Sequence, residues 1–256
     1  MTSNGQPCWI GISVRSTHAQ RRLVEFLCTL FDWTAEDFGD EPGRCTLVRR
    51  HGDPVAEIDH LPLGLERWVT YLACPDIHDA THAVLANGGR VLVEPTARAA
   101  KGVMAVVRDP LGAVFGLWQP NEFSGFSDVI AIGYPEWFHH GSPDPAGAAR
   151  FFSRVFNLQV EGTAVSSHER AEIILGRAGR GFFSLGVNIE GVEPDFRPVV
   201  LVDDLDAVES RVRQGNGLIY ASGVAVPGGR ATTFADPVVG APLIISCTTE
   251  SPSAGG

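Results

Sequence analysis

The chain carries the same landmarks twice, and that repetition limits its architecture more than any other feature. Trp9 in PCWIGIS returns as Trp137 in PEWFHHG, 128 residues later, and Asp76 in CPDIHDAT returns as Asp204 in VDDLDAVES at the same offset. Asp109-Pro110 in RDPLGAVFGLW returns as Asp236-Pro237 in ADPVVGAPLIIS at 127. One offset held across most of the chain implies a duplicated module. The period far exceeds the roughly 20–50 residues of a solenoid repeat, so the copies are paired domains, each large enough for its own core. The reading places a first module at 1–120, a linker at 121–133, a second module at 134–248 and a disordered tail at 249–256.

Each copy divides again into two βαβββ-like halves. CWIGISV alternates as a strand does, and Leu23, Phe26, Leu27, Leu30 and Phe31 then follow helical spacing. CTLVRR and PVAEIDH read as strands about a His51-Gly52-Asp53-Pro54 turn. WVTYLAC opens the second half, and Asp76 N-caps a helix with an Ile77/Ala80/Val84 stripe that stops at Gly88-Gly89. Copy two repeats the order. Asp144-Pro145 starts a helix bearing Ala148, Phe152, Val155 and Phe156, and Leu205, Val208 and Val212 mark the last helix.

Composition narrows the function. With 44% hydrophobic and 20% charged residues the chain reads as globular and soluble. A formal charge of −10, with the cationic residues scattered, offers no basic stripe for a phosphate backbone, so a nucleic-acid partner is not expected. No apolar run approaches the roughly 20 residues of a membrane span, and the opening MTSNGQP does not read as a signal peptide. Cys8, Cys28, Cys45, Cys74 and Cys247 form no CxxC pair, which suits free thiols and a cytoplasmic location. A homodimer is compatible with all of this.

The pattern Phe31-Asp32-Trp33, PVAEI, WVTYLACPDIHDA, the Gly-Gly turn and RDPLGAVFGLWQP resembles the vicinal oxygen chelate superfamily of glyoxalases, bleomycin-resistance proteins and extradiol dioxygenases. Among these it is most similar to two-module actinobacterial members often labelled hydroxylase or 27 kDa antigen. The likeness covers nearly the whole chain and weakens in copy two, where the DPxG equivalent gains a residue (Asp236 to Gly240). It implies an α+β fold of two tandem modules, each of paired βαβββ units forming a curved half-barrel sheet with helices on the convex side. It also implies metal ligands opening the first strand of each half and a Glu in each closing strand. Those positions fall on Trp9 and Trp137, near Trp68-Val69 and Phe196-Arg197, and on Gly116 and Ile244. No such set can hold a divalent cation, so the expectation is no metal and no other cofactor.

Strand alternation puts Trp137 and His139 on one face, and Trp9 on the matching face of copy one. Trp9, Trp68, Trp118 and Trp137 would wall an aromatic cavity for a flat or polycyclic ligand, with Arg197 and Ser184 as polar contacts. A collapsed barrel filled by the same indoles is the competing reading. His139 is the candidate acid or base, against a role as a bonded structural imidazole. His140 points to the helices. Glu57, the counterpart of Ser184, is either a buried carboxyl of raised pKa suited to proton transfer or a solvated rim group. Arg197 could anchor a carboxylate or phenolate but reads first as a surface residue, and Tyr71 reads as core. His51, Asp53 and His60 about the hairpin turn read as solvated, and His78 and His82 as exposed on their helix.

The expectation is therefore a metal-independent protein of specialised, antibiotic- or polyketide-type metabolism. Its leading activity would be a cofactor-free cyclase, isomerase or lyase step on a hydrophobic aromatic substrate, with His139 or Glu57 moving the proton. The alternative is a self-resistance protein that sequesters a toxic metabolite.

Overall fold

A computed structural model describes residues 3–36, 45–60, 65–126, 130–165, 171–188 and 192–248. The expected tail at 249–256 and linker residues 127–129 lie outside the described residues. In the first module the chain runs β1 (Pro7–Val14), α1 (Thr17–Phe31), β2 (Thr34–Glu36), β3 (Cys45–Arg50), β4 (Asp53–His60), then β5 (Trp68–Ala73), α2 (Ile77–Ala86), β6 (Arg90–Ala97), β7 (Gly102–Arg108) and β8 (Val114–Pro120). The second repeats it as β9 (Pro135–Ser142), α3 (Pro145–Phe156), β10 (Gln159–Val165), β11 (Ala171–Arg177), β12 (Arg180–Val187), then β13 (Asp195–Leu201), α4 (Leu205–Gln214), β14 (Leu218–Val226), β15 (Gly229–Ala235) and β16 (Pro242–Thr248). The strand orders are β2-β3-β4-β1-β5-β8-β7-β6 and β10-β11-β12-β9-β13-β16-β15-β14. The fold is α+β, two tandem eight-stranded modules, each made of two βαβββ units joined by one antiparallel seam, β1 on β5 and β9 on β13.

Local chemistry sets the helices. Ser16 caps α1, and Leu23, Phe26, Leu27, Leu30 and Phe31 are the face it buries. The carboxylate of Asp76 accepts from the backbone N–H groups of His78 and Asp79, and that of Asp204 accepts from Ala207. Each closes orphan donors at a helix start. Asp144 caps α3, with Pro145 in its first turn.

The helix sides of the two modules meet. One continuous apolar core runs through both, with Phe26 of α1 against Phe234 and Phe115 of β8 against Phe151, Phe152 and Phe156 of α3. α1 packs on α4, α2 on α3 and β5 on β13, a pseudo-twofold arrangement. The two copies therefore enclose a core, and their concave faces look away from it. Trp68 belongs to this core, on the helix side of β5, and so leaves the set expected to wall a cavity. Alternation explains it, because Val69, Tyr71 and Ala73 take the concave face.

Candidate functional site

The two concave faces have diverged. In the first module Cys8, Trp9, Val69, Tyr71, Ala73, Val106, Val114 and Trp118 form a second apolar cluster, and Phe123 and Phe126 from the linker close over it. Phe123 meets the Trp9 ring edge-on at 4.8 Å, and Phe126 lies 5.3 Å from it. Trp118 Nε1 donates to the Phe123 carbonyl at 2.9 Å. Tyr71 lies flat over Gly116, where a Cβ would stand 2.1 Å from its ring. Trp9 and Trp118 are thus packing residues within a filled module, as the collapsed-barrel reading held.

The second module is open on the same face, with a cavity of about 820 Å³. The registers show why. Where copy one has Tyr71 and Trp118 on β5 and β8, with Met104 beside Trp118, copy two has Val199, Ser246 and Ala231. Loss of two aromatic rings and a thioether leaves a chamber of drug-ligand size. Its walls are largely apolar, including Ile174, Val199, Val224, Val226 and Ile244.

One wall is polar. His139 on β9 faces Ser184 on β12 in register, with Nδ1 3.1 Å from Ser184 Oγ and 3.5 Å from a Glu172 carboxylate oxygen. Trp137 Nε1 donates to the same Ser184 oxygen at 3.3 Å. Gly186 makes room for the pair: a Cβ there would stand 2.7 Å from His139 Cε1 and 3.3 Å from Glu172 Cγ. Burial pushes the Glu172 carboxyl up, but hydrogen bonds from His139 and Ser184 and the nearby charges outweigh it, holding the group below its ordinary range. Next along the wall, Arg197 is fully buried, not the surface residue expected. Its Nε donates to Asp195 Oδ1 at 2.7 Å and its Nη2 to Asn188 Oδ1 at 3.0 Å. With Nε and Nη2 engaged and its charge paired by Asp195, Arg197 reads as a positioning group rather than an anchor for a ligand anion.

The structure therefore brings His139, Ser184, Trp137 and Arg197 together, and it places Glu57 in the other module. Glu57 sits on β4, with Arg98 Nη2 at 3.8 Å; the same nitrogen donates to Asp59 at 3.0 Å. Burial, with Asp59 adding to it, pushes the Glu57 carboxyl up to about 7 against the pull of Arg98, Lys101 and the Trp9 indole. Of the two readings offered for Glu57, the carboxyl of raised pKa is the one the structure favours, but the side chain is half-buried and adjoins a packed face. His140 is buried against the helix side as expected, with Nε2 2.8 Å from Asp109 Oδ2. His78 and His82 are exposed as expected, and His51 is too; Asp53 accepts from the Tyr134 hydroxyl, and His60 Nδ1 is buried.

Glu172, Asp195, Asn188 and Glu136 were missed. Glu172 had a signal, since it lies two residues before Ile174 on the cavity side of a strand, but its partner His139 is distant in sequence. Glu136 had none by alternation. The β9–β13 ladder advances from Val199↔Trp137 to Val200↔Pro135, so Glu136 is the extra residue of a β-bulge. A bulge re-aims a side chain that a regular strand would turn away, and Glu136 lines the cavity beside Trp137.

At the positions where relatives would place metal ligands stand indole, guanidinium, glycine and aliphatic groups, which do not fit a divalent cation. Among the described residues one group has the donor spacing to hold an ion, Cys45, Glu57 and Asp59, with ligand atoms within 4.8 Å of one another. Arg98 already pairs with its carboxylates.

No family model matches the chain. The chain is 25% identical over 244 residues to "Putative glyoxylase CFP32" of Mycobacterium tuberculosis, covering 91% of each protein. It is 28% identical over 252 residues to "Anthracycline biosynthesis protein DnrV" of Streptomyces peucetius, covering 91% of this chain and 90% of that one. Among solved structures it is similar to the Mn(II)-bound glyoxalase from Novosphingobium aromaticivorans (TM-score 0.61, 16% identity, 98% of this chain and 84% of that one). It is likewise similar to 2,2',3-trihydroxybiphenyl 1,2-dioxygenase from Sphingomonas wittichii (TM-score 0.64, 15% identity, 96% and 91%).

Proposed function

We propose that this two-module protein of the vicinal oxygen chelate superfamily is a small-molecule protein of specialised metabolism whose working pocket lies in the second module alone. It acts on a hydrophobic aromatic or polycyclic substrate as a cofactor-independent cyclase, isomerase or lyase. The observation that carries this reading is the apolar cavity of about 820 Å³ with His139, Glu172 and Ser184 gathered on one wall. The cavity matches a fused-ring ligand in size, and relatives named for anthracycline biosynthesis support the metabolic setting.

The chemistry follows from the wall. Ser184 and Glu172 both face Nδ1 of His139, which fixes the ring and favours a proton on that nitrogen. Nε2 is then the atom that takes a proton from a bound ligand, and the Glu172 carboxylate stabilises the imidazolium that forms. Returning that proton elsewhere on the ligand completes an isomerisation or ring closure without a cofactor. The apolar walls hold one reactive conformer and exclude water. No step is routed through a metal, because the side chains at the family's ligand positions cannot bind one.

The test is incubation with hydroxylated anthraquinone and tetracyclic polyketide intermediates, followed by mass analysis of what is recovered. Conversion by the native chain, with a loss of roughly 100-fold or more in His139→Ala at little changed affinity, is the expected result. A second reading, sequestration of a toxic metabolite, is favoured by a specific feature: the wall's polar groups largely satisfy one another, with Arg197 held by Asp195 and Asn188. It predicts unchanged ligand recovered at one per chain, in native protein and variant alike.

A further inference from the structure

The charge on the cavity wall does not balance. Arg197 is neutralised by Asp195 inside the wall, and His139 faces Glu172. Glu136, carried into the cavity by the β9 bulge, has no cation within ion-pair distance among the described residues. Its Oε1 accepts a hydrogen bond from Ser246 Oγ, which holds the carboxylate in place on the cavity wall. The first module shows what this position becomes when it only packs. There the corresponding bulge on β1 presents Cys8, and the counterpart of Ser246 is Trp118, both within the apolar plug. The open module alone has a carboxylate and a hydroxyl where the filled one has a thiol and an indole.

We propose that Glu136 and Ser246 form a subsite for a protonated amine carried by the aromatic ligand, an inference that rests on the pocket reading given above. A half-buried carboxylate on a largely apolar wall has lost part of its hydration, which the single Ser246 hydroxyl only partly replaces, and a ligand ammonium offsets the remainder. An anionic ligand would meet two carboxylates, Glu136 and Glu172, and a guanidinium already engaged. The subsite also sets a length. Glu136 lies three residues before His139 on β9, somewhat less than the roughly 10 Å of three regular strand residues because the bulge takes up part of the rise. The amine therefore binds at one end of the cavity, and the atom that exchanges a proton with His139 lies about two fused rings away.

The test uses the full chain and two probes of nearly equal shape, 9-(aminomethyl)anthracene and 9-(hydroxymethyl)anthracene, titrated calorimetrically at neutral pH. The amine is expected to bind at least about 10-fold more tightly than the alcohol. Glu136→Gln, which keeps the size and the Ser246 contact, should remove most of that preference and leave the alcohol's affinity unchanged. Equal affinities in the native chain, or an equal loss for both probes in Glu136→Gln, would overturn the subsite and leave the pocket standing. Failure of both probes to bind would remove the pocket reading, and the subsite with it.

Discussion

Glu57 has become a structural acid whose ionisation works against the fold. Burial pushes its carboxyl up to about 7, whereas in the unfolded chain it returns to its ordinary value of 4.5. Between those values the folded state binds the extra proton, so the contribution is fully present below about pH 4.5 and is lost as pH rises through 7. The loss is on the order of 3 kcal/mol for a shift of that size. Glu57→Gln, neutral at all pH, should therefore be more stable than the native chain at pH 8 and should flatten the stability profile between pH 4.5 and 7. Urea midpoints measured at half-unit pH steps check this, and parallel profiles for the two proteins would refute it. The sequence placed Glu57 on a concave strand and left open whether its carboxyl is buried or at a solvated rim. It could not show that Trp9, Tyr71 and Trp118 fill the space beside it, because filling depends on rings from three strands and the linker meeting at one point.

Two glycines on equivalent faces separate packing from chemistry. Gly116 on β8 lies under the Tyr71 ring of the filled module, and Gly186 on β12 lies under His139 and Glu172 in the open one. Gly116→Ala should overpack the plug and cost roughly 1–3 kcal/mol, with turnover unchanged at temperatures where the protein stays folded. Gly186→Ala should instead displace a partly exposed imidazole and carboxylate, costing less stability and most of the activity. Denaturant midpoints and turnover measured on both variants check the contrast, and the same ratio of losses in each would refute it. These elements also mark how far the sequence could be read. Helices were legible because one face repeats every 3.6 residues and Asp76 and Asp144-Pro145 mark two of their starts. Cavity-facing residues on regular strands, such as His139 and Ser184, were legible by alternation. Glu136 was not, since one inserted residue at a bulge reverses the face, and Trp68 was misplaced because the family's ligand position fell between two neighbours pointing opposite ways.

Duplication was plain in the sequence, but the way the copies join was not, because the joining residues are apolar side chains any core would use. The join is continuous. Beyond the shared aromatic core, Thr70 Oγ1 donates to the Phe196 carbonyl at 2.9 Å and Trp33 Nε1 to the Gly133 carbonyl at 2.6 Å. The buried pair of His140 and Asp109 links β9 of one module to the loop before β8 of the other. Asp109 Oδ1 also accepts from the backbone N–H groups of Leu111 and Ala113, so the carboxylate organises that loop as well. Removing the imidazole leaves a carboxylate oxygen buried without its partner, which costs on the order of 3–5 kcal/mol. The core shared across the interface then transmits that loss to both modules, which unfold together. The tryptophans make this measurable, since Trp9, Trp33, Trp68 and Trp118 lie in the first module and Trp137 alone in the second. In His140→Ala, a substitution in the second module, the tryptophan fluorescence transition in urea should move to lower denaturant by the same amount as the far-ultraviolet circular dichroism transition. Two separated transitions, with the fluorescence midpoint unmoved, would instead mean that each module folds alone and that the open pocket does not depend on its filled twin.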